Sequence, residues 1–113
     1  CDTAAGAKLS VIVAPAMRGR LPIVRERVTT VTTPGETVDV IVTERGIAVN
    51  PRREGLAAEL RAARLPVVDI RALQSEICGI TGTPRDVAFD DEIVAVIEYR
   101  DGTIIDTVRR VAR

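Results

Sequence analysis

The chain has no histidine and no tryptophan, and only one tyrosine, one phenylalanine and two cysteines among its 113 residues. Without histidine, neither a histidine-containing zinc site nor a cysteine–histidine nucleophile can be built from it. Cys1 and Cys78 are too few for a disulfide framework and read as free thiols, Cys78 as a small buried hydrophobe. Aromatics make up 2% of the residues, and sixteen Lys and Arg balance sixteen Asp and Glu to a formal charge of zero. Base stacking and a phosphate-neutralising face are both disfavoured, so nucleic acid is not an expected partner. No apolar run approaches the ~20 residues that span a bilayer and no signal sequence opens the chain, so no membrane partner is expected and the default reading is soluble and cytoplasmic. P-loop, dinucleotide fingerprint and metal-ligand spacing are all missing, which argues against hydride transfer, phosphoryl transfer and a bound metal.

What is present is apolar and β-branched, punctuated by proline and glycine. A chain of this length buries roughly two-thirds of the surface its unfolded form exposes, enough for a core without staples. It opens on Cys1 rather than Met and in mid-pattern, so it reads as a piece of a longer polypeptide. Leu9 to Ala14 reads as a largely buried strand stopped by Pro15, and Arg18-Gly19-Arg20-Leu21-Pro22 as a turn. A strand is expected in the second half of Ile23 to Thr33, ended by Pro34-Gly35. Val38 to Thr43 is the best strand, with Arg45-Gly46 as a turn and Ile47-Ala48-Val49 as a short continuation.

Asn50-Pro51 suits a helix entrance, and the helix is expected to run to about Arg64 before Pro66. Val67-Val68 is a minimal strand, and Asp69 caps a second helix with Ile70, Leu73, Ile77 and Ile80 on one face, ending at Gly82. Glu92 to Tyr99 and Thr103 to Val111 form a hairpin over Asp101-Gly102, as a two-residue turn or as a three-residue loop with a bulge. The expected fold class is α/β: a mixed open sheet with two helices and a C-terminal β-hairpin.

Two constellations are candidates for chemistry. Thr43-Glu44-Arg45-Gly46 sets a carboxylate and a guanidinium at the carboxyl end of a strand, where open α/β sheets bind ligands; the plainer reading is a solvated ion pair at a turn whose glycine supplies a positive φ. Lys8, Arg18 and Arg20 are cations near a strand end, and two guanidinium groups around Gly19 suit a polycarboxylate; the plainer reading is a solvated basic turn. Arg52, Arg53, Arg109, Arg110 and Arg113 read as surface charge.

Four ordered segments carry a family resemblance: Asp2-Thr3-Ala4-Ala5-Gly6-Ala7-Lys8, Arg18-Gly19-Arg20, Thr32-Thr33-Pro34-Gly35-Glu36, and Val94-Ala95-Val96-Ile97-Glu98-Tyr99-Arg100-Asp101-Gly102-Thr103. Together with Gly46-Ile47-Ala48-Val49-Asn50-Pro51 they resemble the C-terminal part of the CoA-transferases, and within them the alpha chains of citrate lyase. The resemblance implies that residues 1–113 are the C-terminal part of a CoA-transferase-like (NagB/RpiA-like) domain whose N-terminal half and glycine loop lie outside the chain. It implies exchange of acetate for citrate on an acyl-carrier-protein thioester, with the phosphopantetheine-type thioester as substrate and no cofactor bound by this chain. The implied partners are citrate, the acyl carrier protein (gamma) and the lyase (beta) subunits; a homo-oligomer is compatible with strand edges pairing between copies. By the same resemblance, Asp2 stands where CoA-transferases carry an aspartate, as a loop-fixing residue rather than a catalyst. Thr43, Glu44 and Arg45 would lie at the substrate or CoA site, and Arg18 and Arg20 at a tricarboxylate subsite. No catalytic residue is identified; Glu44 is the one glutamate at a plausible place for a nucleophile. The alternatives are another CoA-transferase, a CoA-thioester hydrolase, or a non-catalytic subunit-interaction domain.

Overall fold

The structure, a computed structural model, describes residues 2–112, without the side chain of Asp2; the expectations for Cys1, Arg113 and the Asp2 carboxylate lie outside the described residues. The element order is α1 (Asp2–Gly6), β1 (Val11–Val13), β2 (Met17–Arg18), β3 (Leu21–Pro22), a 3-10 turn (Gly35–Thr37), β4 (Val40–Thr43), β5 (Gly46–Val49), α2 (Glu54–Ala62), β6 (Val67–Val68), α3 (Ile70–Thr81), β7 (Phe89–Glu98) and β8 (Ile104–Val111). One sheet has the order β1-β4-β5-β6, while β2–β3 and β7–β8 are separate two-stranded ladders. In that sheet β1 runs parallel to β4, β4 antiparallel to β5, and β5 parallel to β6, so the expected mixed α/β sheet is present.

The second helix forms as its sequence dictates. The Asp69 carboxylate accepts from the amides of Arg71 (2.8 Å) and Ala72 (3.4 Å), and Gly82 at φ 77° ends the helix with its amide on the Cys78 carbonyl. Its apolar face delivers Leu73 (1% exposed) and Ile77 (0%) into a core with Ala16, Val24 and Ala48, flanked by Met17, Ile41 and Val68. Ile70 and Ile80, at the margins of the same face, stay exposed. The β2–β3 ladder bears out the turn expected at Arg18–Pro22, with Gly19 at φ 62°. The hairpin takes the three-residue form: the Tyr99 amide bonds the Thr103 carbonyl, the Gly102 amide bonds the Tyr99 carbonyl, and Gly102 sits at φ 88°.

Several expectations are corrected. β1 is exposed along its length, up to 78% at Val13, because it is an edge strand. Ile47–Val49 does not continue β4 but turns back against it. No strand forms within Ile23 to Thr33, where the Val31 amide bonds the Asp106 carboxylate at 2.8 Å instead of a neighbouring strand. Asp2–Gly6, read as loop, is a short helix, so three helices are described rather than two. The helix expected from Pro51 starts at Glu54, since the Asn50 side chain accepts from the Arg52 amide and its carbonyl from the Arg53 amide, closing a turn first. That helix ends at Ala62 in a Schellman motif: the Leu65 amide bonds the Leu60 carbonyl, the Arg64 amide bonds the Arg61 carbonyl, and Arg64 lies at φ 62°. The last hairpin starts earlier than expected, at Phe89. Cys78 is only partly buried, its Sγ accepting from Gln74 Nε2 at 3.2 Å.

Candidate functional site

The parallel β1–β4 pair carries a carboxylate brace at each end. At its start the Asp39 Oδ2 accepts from the Ser10 amide at 2.8 Å, while Oδ1 lies 3.6 Å from Arg53 Nε. At its finish Glu44 accepts from the Ala16 amide, at 3.1 Å through Oε1 and 2.9 Å through Oε2. Between them the backbone ladder joins Val11 to Val40, Ile12 to Ile41 and Val13 to Val42. Asp39 gave no signal in the sequence, because an acid between two valines at a strand start reads as an ordinary polar position.

The corner at 43–46 is stitched from within. Thr43, buried, donates through Oγ1 to the Gly46 carbonyl at 3.0 Å and accepts from the Arg45 amide at 3.1 Å. Gly46 adopts φ 155°, and a Cβ there would lie 2.8 Å from Val68 Cγ2, so both conformation and space require glycine. Arg45 reaches Glu76 on α3 at 3.5 Å, with the side chains 43% and 50% exposed, an ion pair that solvent screens. The amides of Glu44 itself and of Ala16 hold the Glu44 carboxyl below its ordinary range, with Arg45 adding a smaller pull in the same direction.

The sequence-predicted site residues separate into two groups. Thr43, Glu44 and Arg45 form the corner, and the Arg18-Gly19-Arg20 turn follows two residues after the Ala16 amide that Glu44 holds. Arg18 and Arg20 are exposed, and no described carboxylate pairs with either. Lys8 does not join them: it precedes β1, on the side of the Ser10–Asp39 brace, whereas the arginines follow the opposite end of that strand. The expected three-cation cluster is thus a two-arginine turn. The Asp2 carboxylate is outside the described residues.

A feature with no sequence signal is an apolar cavity of about 250 Å³ at the Asp39 end of the sheet, lined by Ile12, Val38, Val40, Ala48, Val49 and Ile70. These residues come from four separate segments, so only the folded chain assembles them. Among the described residues no cluster of acidic or cysteine side chains could hold a metal, and no helix is long and apolar enough to cross a membrane.

Residues 1–111 match the sequence model of the family "Citrate lyase, alpha subunit (CitF)". The chain is 52% identical over 110 residues to the citrate lyase alpha chain of Klebsiella pneumoniae, and 49% identical over 111 residues to that of Escherichia coli. These alignments cover 97% and 98% of this chain but 22% of either relative. A crystal structure of the alpha subunit of citrate lyase from Streptococcus mutans, in complex with citrate, superposes with a TM-score of 0.95 at 46% identity, over 100% of this chain and 22% of that one. The chain therefore spans about a fifth of the length of its relatives. With nearly the whole chain matched by the family model, the chain belongs to the citrate lyase alpha subunit family.

Proposed function

We propose that these 113 residues are the C-terminal part of a CoA-transferase domain of the NagB/RpiA-like kind, and that they supply its carboxylate-binding corner. The reaction is exchange of acetate for citrate on an acyl-carrier-protein thioester, with the lyase subunit receiving the citryl product in the cytoplasm. One citrate carboxylate attacks the acetyl thioester carbonyl, forming a mixed anhydride and expelling the thiolate. The thiolate then attacks the citryl carbonyl and releases acetate, so no group is gained or lost beyond the exchange. Because a thiolate leaves without a proton, the chemistry needs cations for the acids and backbone donors for the oxyanions more than it needs a histidine.

The observation that supports this most is the exposed Arg18-Gly19-Arg20 turn, whose guanidinium groups have no described carboxylate partner, in a chain 46% identical to a relative crystallised with citrate. The chain matches 22% of its relative's length; on the reading that the glycine loop and the other half of the transferase lie outside it, the 113 residues alone are expected to be inactive. Citrate-dependent acetyl transfer by the isolated chain would refute that. In a family-length chain carrying this segment, Arg18→Ala and Arg20→Ala should each raise the KM for citrate by about 10- to 100-fold, the loss of one charge-assisted hydrogen bond. Unchanged KM in both variants, or equal turnover of propionate or succinate, would point to a different acid or a different subsite.

A second reading is favoured by a separate observation: Val11 and Val13 on the edge strand, and Ile93, Val94 and Val96 on the hairpin, are exposed. Such surfaces fit a scaffold that meets other subunits. Binding of the carrier or lyase subunit without binding of CoA or citrate would favour it.

A further inference from the structure

We propose that Glu44 is a positioning residue that holds the Arg18-Gly19-Arg20 turn in place for a carboxylate substrate, and not the nucleophile of the transfer. The identity of that substrate rests on the function proposed above; the positioning role rests on geometry alone.

Both carboxylate oxygens of Glu44 lie on one donor, the Ala16 amide, at 3.1 and 2.9 Å, across 28 residues of sequence. Ala16 is fully buried against Leu73 and Ile77, and its carbonyl accepts from the Ile23 amide at 3.0 Å. Donor and acceptor of this single residue are therefore both committed, and between Ala16 and its partner Ile23 residues 17–22 fold back as β2 and β3 with Gly19 at the tip. The two arginines flank that tip. The anchor itself cannot drift, because Thr43 closes the 43–46 turn and Gly46 packs its backbone under Val68. The arginine turn has no comparable tie of its own, since neither guanidinium is ion-paired among the described residues.

A nucleophilic carboxylate needs a lone pair of high basicity aimed at the thioester carbonyl. Amide donation to Glu44 lowers that basicity and directs the carboxylate at the protein's own backbone. The same donation is what a structural brace requires, as the Asp39–Ser10 bond shows at the other end of the same strand pair.

The test uses a family-length chain carrying this segment, with Glu44→Ala, Glu44→Gln and Glu44→Asp, read by hydrogen–deuterium exchange over residues 14–23 and by the KM for citrate and kcat of acetate–citrate exchange. Glutamine keeps an oxygen that can accept from Ala16, while aspartate keeps the charge but is one methylene short. Expected is faster exchange at 14–23 and a citrate KM raised about tenfold in Glu44→Ala, kcat within about threefold, near-recovery in Glu44→Gln, and an intermediate Glu44→Asp. The aspartate and glutamine variants carry the test if the alanine variant does not fold. Unchanged exchange at 14–23 would overturn the brace, and loosened exchange with unchanged citrate KM would overturn its link to substrate. If Glu44→Gln is as dead as Glu44→Ala, and mass spectrometry finds an acyl or thiol adduct on Glu44 of the unmodified enzyme, Glu44 is the nucleophile and the proposal fails. If the unmodified enzyme does not use citrate, the substrate reading falls while the exchange data still decide the brace.

Discussion

The body formed by the four-stranded sheet with α3 and the hairpin β7–β8 both carry β-branched, apolar residues, but charged residues interrupt the hairpin strands and none interrupts the sheet strands, and the two end up differently buried. The body places Ala16, Val24, Ala48, Leu73 and Ile77 out of water. The hairpin, although its two strands have 10 and 8 residues, leaves Ile93, Val94, Val96, Ile104 and Val111 exposed. The difference lies in the second layer: the sheet has a helix across one face, with Leu73 and Ile77 of α3 against Ala48 and Ile41, whereas β7 and β8 pair only with each other. A two-stranded ribbon cannot enclose a core. Among the described residues its side-chain hydrogen bonds to the rest of the chain reach only the irregular 23–33 segment, through the Val31 amide on Asp106 at 2.8 Å and Thr30 Oγ1 on the Thr107 carbonyl at 3.4 Å. The result is a slab of 49 × 38 × 18 Å with a radius of gyration of 16.0 Å. A compact chain of this length would have about 13 Å.

The comparison is broken most strongly in the core. Leu73→Ala should lower the unfolding free energy by about 2–5 kcal/mol, while Ile93→Ala on the hairpin should change it by less than about 0.5 kcal/mol, both read by urea denaturation. Equal losses at the two sites would mean that the hairpin's apolar surface is covered in solution, for example by a second copy. Next in size is Gly46→Ala, which combines a positive φ with a Cβ 2.8 Å from Val68 and should cost about 1–3 kcal/mol. Adding Val68→Ala should recover the steric part and leave the conformational part, which a double-mutant cycle separates.

Helix ends give smaller effects of opposite sign. Asp69→Ala removes the carboxylate that accepts from two amides at the start of α3 and should cost about 1 kcal/mol. Arg64→Gly relieves a left-handed residue after α2 and should gain up to about 1 kcal/mol, visible as a higher Tm.

The smallest effect is on pH. Amide donation depresses Glu44 within the body and, from Val31 and then Thr107, depresses Asp106 at the hairpin joint. Their stabilisation is complete above the ordinary values of 4.5 and 3.8, and is lost as pH falls through the lower folded values. Denaturant midpoints measured from pH 6 down to 2 should therefore fall at the acid end. Asp106→Asn should flatten the part of that fall sensed by exchange in the hairpin, and Glu44→Gln the part sensed at 14–23.

Much of this was legible in the chain. Asp69, the apolar positions Leu73 and Ile77, and Gly82 specify α3 by rules that act within a few residues, and Arg100-Asp101-Gly102 specifies a hairpin turn in the same way. The corner at Thr43–Gly46 was legible as a turn and as a place where charge meets an apolar strand. What Glu44 does there was not, because its partner is 28 residues away and is a backbone amide, which no side-chain motif advertises. Lys8 was grouped with Arg18 and Arg20 by proximity in sequence, but an intervening extended strand carries them to opposite ends of the sheet.

The sequence by itself determined α3, the turns at 18–22 and 100–102, the missing histidine chemistry and the family, since these depend on residue type and short spacing. Only the tertiary structure decided that β1 is an edge, that β5 turns back on β4, that the 23–33 segment stays irregular, and that Glu44 and Asp39 brace the two ends of one strand pair. Those outcomes depend on which distant backbone groups find one another, and a backbone amide looks the same in every residue until the fold assigns its partner.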